Sequence, residues 1–183
     1  EAAHEIDERF RVYLGTEVYF GQDVADKLKE GKILSMNRRE YVLVEFPPSQ
    51  TYSYIRQGIQ QLQFAGYEVI LAHVERYHCI AEDVELAEEL YDMGVNLQVN
   101  ADSILGKSGF YTKRFCRKLM KGDLLHFVGS DCHDSRYRIC RTGEAYRKVA
   151  SKMGQEYADK IFIENPSTIV KNGENRRKFV KYT

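Results

Sequence analysis

Five side chains able to ligate a divalent cation, Glu17, Glu45, His73, Asp131 and His133, stand at or just past the carboxyl ends of apolar segments. Asp131 and His133 follow the run LLHFV (residues 124–128), which Gly129 and Ser130 break. Side chains repeat every second residue along a strand, so an Asp and a His one residue apart can share one side of a sheet. Such a pair is half of a divalent-metal site. Glu45 lies in VLVEF, where a carboxylate is expensive to bury unless a cation pairs with it. His73 follows YEVILA, with Glu75 and Arg76 directly after it, and Glu17 lies near the end of RVYLGTEVY. Two Glu, two His and one Asp form a hard-to-borderline donor set that suits Mn, Fe or Zn and is rich enough for more than one ion. Taken singly, each has a plain structural use: a helix cap, a surface ion pair, a packed imidazole. Their shared position at strand ends is what argues for a site.

Six apolar segments read as the strands that would carry these groups: residues 11–19, a short one at 33–36, 41–46 (stopped by Pro47 and Pro48), 67–72, 95–99 and 124–128. Helical patterns fall at residues 23–29, 53–65, 83–93, 111–121, 142–153 and 155–163, with a last short turn from Pro166. Gly31, Gly66, Gly94 and Gly122 stand where the first four should stop. Strand and helix alternate, which predicts an α/β fold with parallel strands and right-handed crossovers in one domain. Pattern alone leaves a barrel and an open doubly wound sheet both available. Either way, sites form at the carboxyl ends of the strands. No Gly-rich loop follows the first strand, so neither a dinucleotide nor a Walker-type site is expected. Residues 1–10 read as the second half of an amphipathic helix, so a segment upstream is expected, and residues 175–183 as a loose basic tail.

The 183 residues carry 27 Lys plus Arg against 27 Asp plus Glu, and this zero net charge argues against a nucleic-acid module. No apolar run approaches the length of a membrane span, and no secretory leader opens the sequence. The four cysteines form no C-x-x-C pair, as expected of reduced thiols in a cytoplasmic protein.

The segments GTEV (residues 15–18), YVLVEFP (41–47), LAHVER (71–76) and SDCH (130–133) resemble, in order and spacing, motifs of the PHP (polymerase and histidinol phosphatase) superfamily. More narrowly, they resemble its manganese-dependent protein-tyrosine phosphatases of bacterial capsule and exopolysaccharide loci. The resemblance implies a distorted seven-stranded (β/α) barrel with a cluster of up to three Mn2+ ions. It implies Glu17, Glu45, His73, Asp131 and His133 as metal ligands and Arg76 as a phosphate-binding catalytic residue. A second phosphate-binding arginine follows Asp-x-His in that family, for which Arg136 is the first candidate and Arg138 the second. The implied reaction is phosphotyrosine hydrolysis by metal-activated hydroxide. The implied partner is an autophosphorylating bacterial tyrosine kinase. The family also begins with a strand bearing His-x-His and a second strand ending in His. Neither occurs here and His4 does not replace them, so the chain is expected to lack the first two β/α units.

Other readings stay open from sequence. Cys132 and Arg138 satisfy C-x5-R, the pattern of cysteine-dependent tyrosine phosphatases, although that loop has no glycine to wrap a phosphate. A PHP-type enzyme could instead act on a small phosphate ester such as histidinol phosphate, and a degenerate barrel could serve only for binding. His126 reads as a hydrogen-bonded core histidine, the cations Arg114, Arg117, Lys118 and Lys121 as a solvated helix face, and Gln98, Asn100 and Ser103 as candidate pocket-lining residues.

Overall fold

The computed structural model describes residues 11–171 together with Glu5, Asp7 and Glu8. The expectations for the helix over residues 1–10, beyond those three, and for the basic tail lie outside the described residues. Five strands, β1 (Glu17–Tyr19), β2 (Tyr41–Glu45), β3 (Glu68–Leu71), β4 (Asn96–Asn100) and β5 (Leu125–Gly129), form one sheet in sequence order. Every pairing is parallel. Between and after them run α1 (Val24–Lys29), α2 (Tyr52–Phe64), α3 (His78–Glu82), α4 (Val84–Asp92), α5 (Ala101–Leu105), α6 (Phe110–Lys121), α7 (Thr142–Met153), α8 (Gln155–Asp159) and α9 (Asn165–Lys171). A π-helical turn, Lys160–Glu164, joins α8 to α9.

Local chemistry sets the ends of these elements. Thr51 caps α2 by accepting the Tyr54 N–H, and Asp83 caps α4 by accepting the Glu85 N–H at 3.0 Å. Gly94 takes the left-handed φ that closes α4. Gly122 keeps an ordinary helical φ after α6, and Asp123 takes the left-handed position instead, its carboxylate held by Lys160 at 2.7 Å. Two expected strands differ from expectation. The first begins only at Glu17. Residues 33–36 form no strand, because Asn37 and Arg38 turn into left-handed backbone immediately after them. That segment exchanges two hydrogen bonds with the chain before β1, Thr16 N–H to Leu34 O and Asn37 N–H to Leu14 O, and builds no ladder.

One face of the sheet is apolar throughout. Val42, Val44, Val69, Leu71, Leu97, Val99 and Leu125 are fully buried in one cluster with Ile55, Ile59 and Leu62 of α2, Leu90 of α4 and Leu119 of α6. At its β1 end, Phe20 and Phe46 stack with ring centroids 4.7 Å apart. Gly58 of α2 lies against both rings, so that an added Cβ would fall 2.7–2.8 Å from their edges. The opposite face carries Leu43, Ile70, Gln98 and Phe127, which line a pocket of about 230 Å³ beneath Met36, Pro166 and Ile169.

The β4–β5 pairing contains one irregularity. Leu97 faces Leu125 and Gln98 faces Phe127, leaving His126 as an extra residue in β5. Its side chain repairs the ladder that the bulge breaks: Nδ1 accepts the Leu97 N–H at 3.1 Å while the ring stacks on Tyr91. His126 is therefore the hydrogen-bonded core histidine that the sequence suggested. Burial, with a contribution from Lys160, holds its pKa below the ordinary value.

Two outcomes are expected. Gly58→Ala gains about 1 kcal/mol of helix propensity but overpacks the Phe20–Phe46 stack at a cost of about 1–3 kcal/mol, so urea denaturation should show a net loss of stability. The His126 contribution should be fully present above pH of about 6.5, where the ring is neutral folded or unfolded. It should be lost as pH falls from there through the depressed folded pKa, because the unfolded chain binds the proton first. In His126→Phe this component of the stability–pH profile should vanish, with about 1–3 kcal/mol lost at neutral pH from the orphaned Leu97 N–H.

Candidate metal centre

Parallel pairing puts the carboxyl ends of all five strands along one edge of the sheet, and register decides which side chains face the pocket. Glu17 pairs with Leu43 and so points to the pocket side with it; Glu45, two residues on, does the same. The Glu45 peptide is fixed on both sides: its carbonyl accepts the Phe20 N–H at 2.9 Å, and the next N–H, of Phe46, donates to the buried Tyr77 hydroxyl oxygen at 3.1 Å. Glu45 ends its strand with its side chain 32% exposed, so its carboxylate costs less to hold than its apolar flanks suggested.

His73 follows β3 in left-handed backbone, φ 34° and ψ 55°. A histidine there is strained by about 1–3 kcal/mol and persists only if its surroundings over-determine it. They do: its N–H donates to Gln98 Oε1 at 2.6 Å, and Gln98 Nε2 donates to Val99 O at 2.9 Å and to Asn100 Oδ1 at 3.1 Å. The turn aims Nε2 between two carboxylates, 3.0 Å from Glu17 Oε1 and 3.1 Å from Glu45 Oε2. Burial of the ring opposes its charge, yet the Glu17 hydrogen bond and the charges of Glu17 and Glu75 outweigh that and raise the pKa.

Ligand atoms of Glu17, Glu45 and His73 all lie within 4.8 Å of one another. A cation with ligand bonds of about 2.1 Å spaces neighbouring octahedral ligands by about 3.0 Å, which matches both His73 contacts. Two carboxylates and a neutral imidazole also form a charge-compensating set. On geometry and donor chemistry, these three residues fit a divalent cation.

Asp131 and His133 are placed differently from each other. β5 ends at Gly129, and Asp131 takes left-handed backbone at φ 50°, so strand alternation does not govern the pair. Asp131 turns into the pocket wall, where Asn100 Nδ2 donates to Oδ2 at 2.9 Å and Arg76 pairs with the same oxygen at 2.5 Å. Burial pushes its carboxyl pKa up, but Arg76 and Arg138 outweigh burial and hold it below the usual range. His133 is 56% exposed, with Nδ1 2.9 Å from the Asp131 carbonyl oxygen and 3.6 Å from Oδ1. Among the described residues, the close triad therefore includes three of the five expected ligands; Asp131 lines the same pocket and the exposed His133 contacts Asp131.

The loop after β5 brings Arg138, rather than Arg136, to Asp131. Asp134 explains the choice: its carboxylate accepts the backbone N–H groups of Arg136, Tyr137 and Arg138, winding three residues into a tight turn. The same turn bears on C-x5-R. A cysteine phosphatase needs loop amides that converge on a phosphate at the thiol. Here the amides of residues 136–138 are spent on Asp134, and those of Cys132, His133 and Asp134 on Ser130 Oγ and the Arg138 carbonyl. Two polar side chains that the sequence reading left without a role do positional work: Tyr77 through Phe46, and Glu75, which is buried and accepts the Asn100 N–H at 2.9 Å. Gln98 and Asn100 line the pocket, and Ser103 is buried beside Ser108.

Residues 1–171 match the family described as capsular polysaccharide synthesis, CpsB/CapC. The chain belongs to the CpsB/CapC family. It is 32% identical over 177 residues to tyrosine-protein phosphatase CpsB of Streptococcus agalactiae serotype V, covering 92% of this chain and 73% of that protein. It is 31% identical over 179 residues to tyrosine-protein phosphatase YwqE of Bacillus subtilis, covering 94% and 70%. Among solved structures it matches one from a crystallographic description of YwqE from B. subtilis and CpsB from Streptococcus pneumoniae as unique metal-dependent tyrosine phosphatases. That match has a TM-score of 0.82 at 30% identity, over 93% of this chain and 72% of the other. The parallel α/β architecture of this chain thus matches that of the CpsB/YwqE structure, as the alternation of strand and helix predicted.

Gly129 tests the site's dependence on Gln98. A Cβ at Gly129 would fall 2.3 Å from Gln98 Nε2. Gly129→Ala should therefore expel the Gln98 amide, release the His73 N–H and weaken divalent-cation binding while the far-ultraviolet circular dichroism is kept. Gln98→Ala should weaken binding similarly, and the double variant should lose little more than either single one, as expected of two changes acting through one contact.

Proposed function

We propose that this chain is a metal-dependent protein-tyrosine phosphatase, with Glu17, Glu45 and His73 holding a divalent cation and Asp131 and His133 completing a multinuclear cluster. The observation that carries this reading is the convergence of two carboxylates on His73 Nε2, one pocket wall away from a carboxylate that gathers two arginines. The names of the relatives, tyrosine-protein phosphatases, support the substrate class. Mn2+ is the proposed metal; the donor set also suits Fe or Zn. Bound cations supply charge neutralisation for phosphoryl oxygens and lower the pKa of a water nucleophile.

The protein's own groups do the rest. Arg76 and Arg138 present guanidinium donors beside Asp131, where they can take up the non-bridging oxygens of a phosphoryl group and offset its growing charge. Asn100 donates to Asp131, and Asp131 pairs with both arginines. A leaving phenolate has a pKa of about 10 and needs only modest protonation. Arg136, the first sequence candidate for the second arginine, is proposed to act only through the Asp134 turn. We further propose that the sheet represents five strands of a distorted seven-stranded barrel in a single domain, the first two β/α units not being among these residues. The match to about three quarters of the relatives' length supports this. The proposed natural substrate is an autophosphorylating bacterial tyrosine kinase of capsule synthesis, met in the cytoplasm. Among the described residues no helix is long and apolar enough to cross a membrane.

The test is phosphate release from a phosphotyrosine peptide. Chelator should abolish turnover and Mn2+ restore it, while alkylation of Cys132 should leave it intact. Arg76→Ala and Arg138→Ala should each lower kcat/KM by about 10²–10³-fold, and Arg136→Ala far less. Chelator-resistant, alkylation-sensitive turnover, or tight metal binding without turnover, would overturn the reading.

A further inference from the structure

Two buried atoms in one turn of chain lack hydrogen-bond partners: His73 Nδ1 and Glu75 Oε2. Both residues are only 4% exposed, and each side chain's charge is felt by the other. In the neutral ring, Nε2 lies within hydrogen-bonding distance of both Glu17 and Glu45, so the single proton belongs on Nε2, and Nδ1 is left as a bare acceptor. A cation at Nε2 inverts that assignment. The Nε2 lone pair then binds metal, the neutral ring must carry its proton on Nδ1, and a buried N–H without an acceptor is costly. The chain supplies, two residues away, a buried carboxylate oxygen without a hydrogen-bond partner, on a carboxylate that the Ser103 hydroxyl also approaches. Of the carboxylate oxygens buried without a partner among the described residues, the other, Asp102 Oδ1, has Arg141 Nε beside it at 3.2 Å. Glu75 is also held firmly for such a role, because its other oxygen accepts the Asn100 N–H at 2.9 Å.

We propose that Glu75 is a positioning residue that accepts the His73 Nδ1–H, directly or through one buried water, once a cation occupies Nε2. It fixes the ring's tautomer and orientation, as outer carboxylates do for metal-bound histidines. This rests on the metal-site reading above. It explains why a carboxylate is buried at the sheet edge without itself reaching the Glu17–Glu45–His73 triad. It also joins the two halves of the site, since the Asn100 that anchors Glu75 donates through Nδ2 to Asp131.

The experiment measures binding of Mn2+ alone, by competition with a chelator, and the state of the His73 ring by 15N NMR of the Zn2+-loaded chain. In the wild type, the His73 Nδ1 should carry a proton with the downfield shift of a hydrogen bond to carboxylate. Glu75→Gln keeps the volume, but with its oxygen on the Asn100 N–H it turns an NH2 toward Nδ1, donor against donor. Its Mn2+ affinity should fall by about 10–100-fold with the metal-free melting temperature little changed. Glu82→Gln, on the neighbouring exposed surface, should bind Mn2+ like the wild type. Wild-type affinity in Glu75→Gln, or Nδ1 without a hydrogen-bonded proton in the loaded wild type, overturns the role of Glu75 and leaves the metal site standing. Failure of the wild type to bind Mn2+ overturns both. The NMR arm needs only wild-type protein, so a variant that does not fold still leaves the inference open to refutation.

Discussion

The site hangs on one hydrogen bond, from the His73 backbone N–H to the side-chain oxygen of Gln98 at 2.6 Å. With the His73 carbonyl accepting the Arg76 N–H at 2.9 Å, it holds the His73 peptide in the left-handed turn that aims the ring between Glu17 and Glu45. The bond can form because Gln98 lies across the face of β4 with its amide held at both ends, and because β5 offers Gly129, with no side chain, directly beneath it. Three consecutive strands thus cooperate to fix one imidazole: β3 supplies it, β4 holds its backbone, and β5 leaves the room.

A second polar thread runs outward from the same strand. Asn100 receives Gln98, donates its N–H to Glu75 and its side chain to Asp131, and Asp131 gathers Arg76 and Arg138. Such networks are favourable only when nearly every member is satisfied. The two orphaned atoms at His73 and Glu75 are therefore the informative ones: they mark where a bound cation changes the hydrogen-bond pattern. Two of the five left-handed non-glycine residues among those described, His73 and Asp131, belong to this network.

Much of this was legible in the sequence, for particular reasons. The segment at residues 41–46 is a strand because its apolar run is uninterrupted and two prolines stop it. Glu17, Glu45 and His73 stand out in the sequence because a charge or an imidazole at the end of such a run needs an explanation. Other features depend on contacts that periodicity does not carry. Residues 33–36 look like a strand but run into two left-handed residues. The Asp131–His133 pair looks like strand alternation, yet the strand has already ended. That Arg138 rather than Arg136 reaches Asp131 goes with the Asp134 carboxylate collecting three amides from its own turn. Glu75, between Val74 and Arg76, looks like a surface charge, and only tertiary packing buries it.

The sequential order of the sheet has a consequence for how the molecule assembles. Every strand pairs with the one next along the chain, and each crossover spans only a few tens of residues, so no pairing has to wait for a distant part of the polypeptide. Loop-closure entropy grows slowly with length; this parallel sheet therefore escapes the largest kinetic penalty of its class, which arises when neighbouring strands are remote in sequence. It can be laid down one unit after another in the order in which a ribosome releases them, and the loop carrying Asp131 and Arg138 is made after the strands that hold His73.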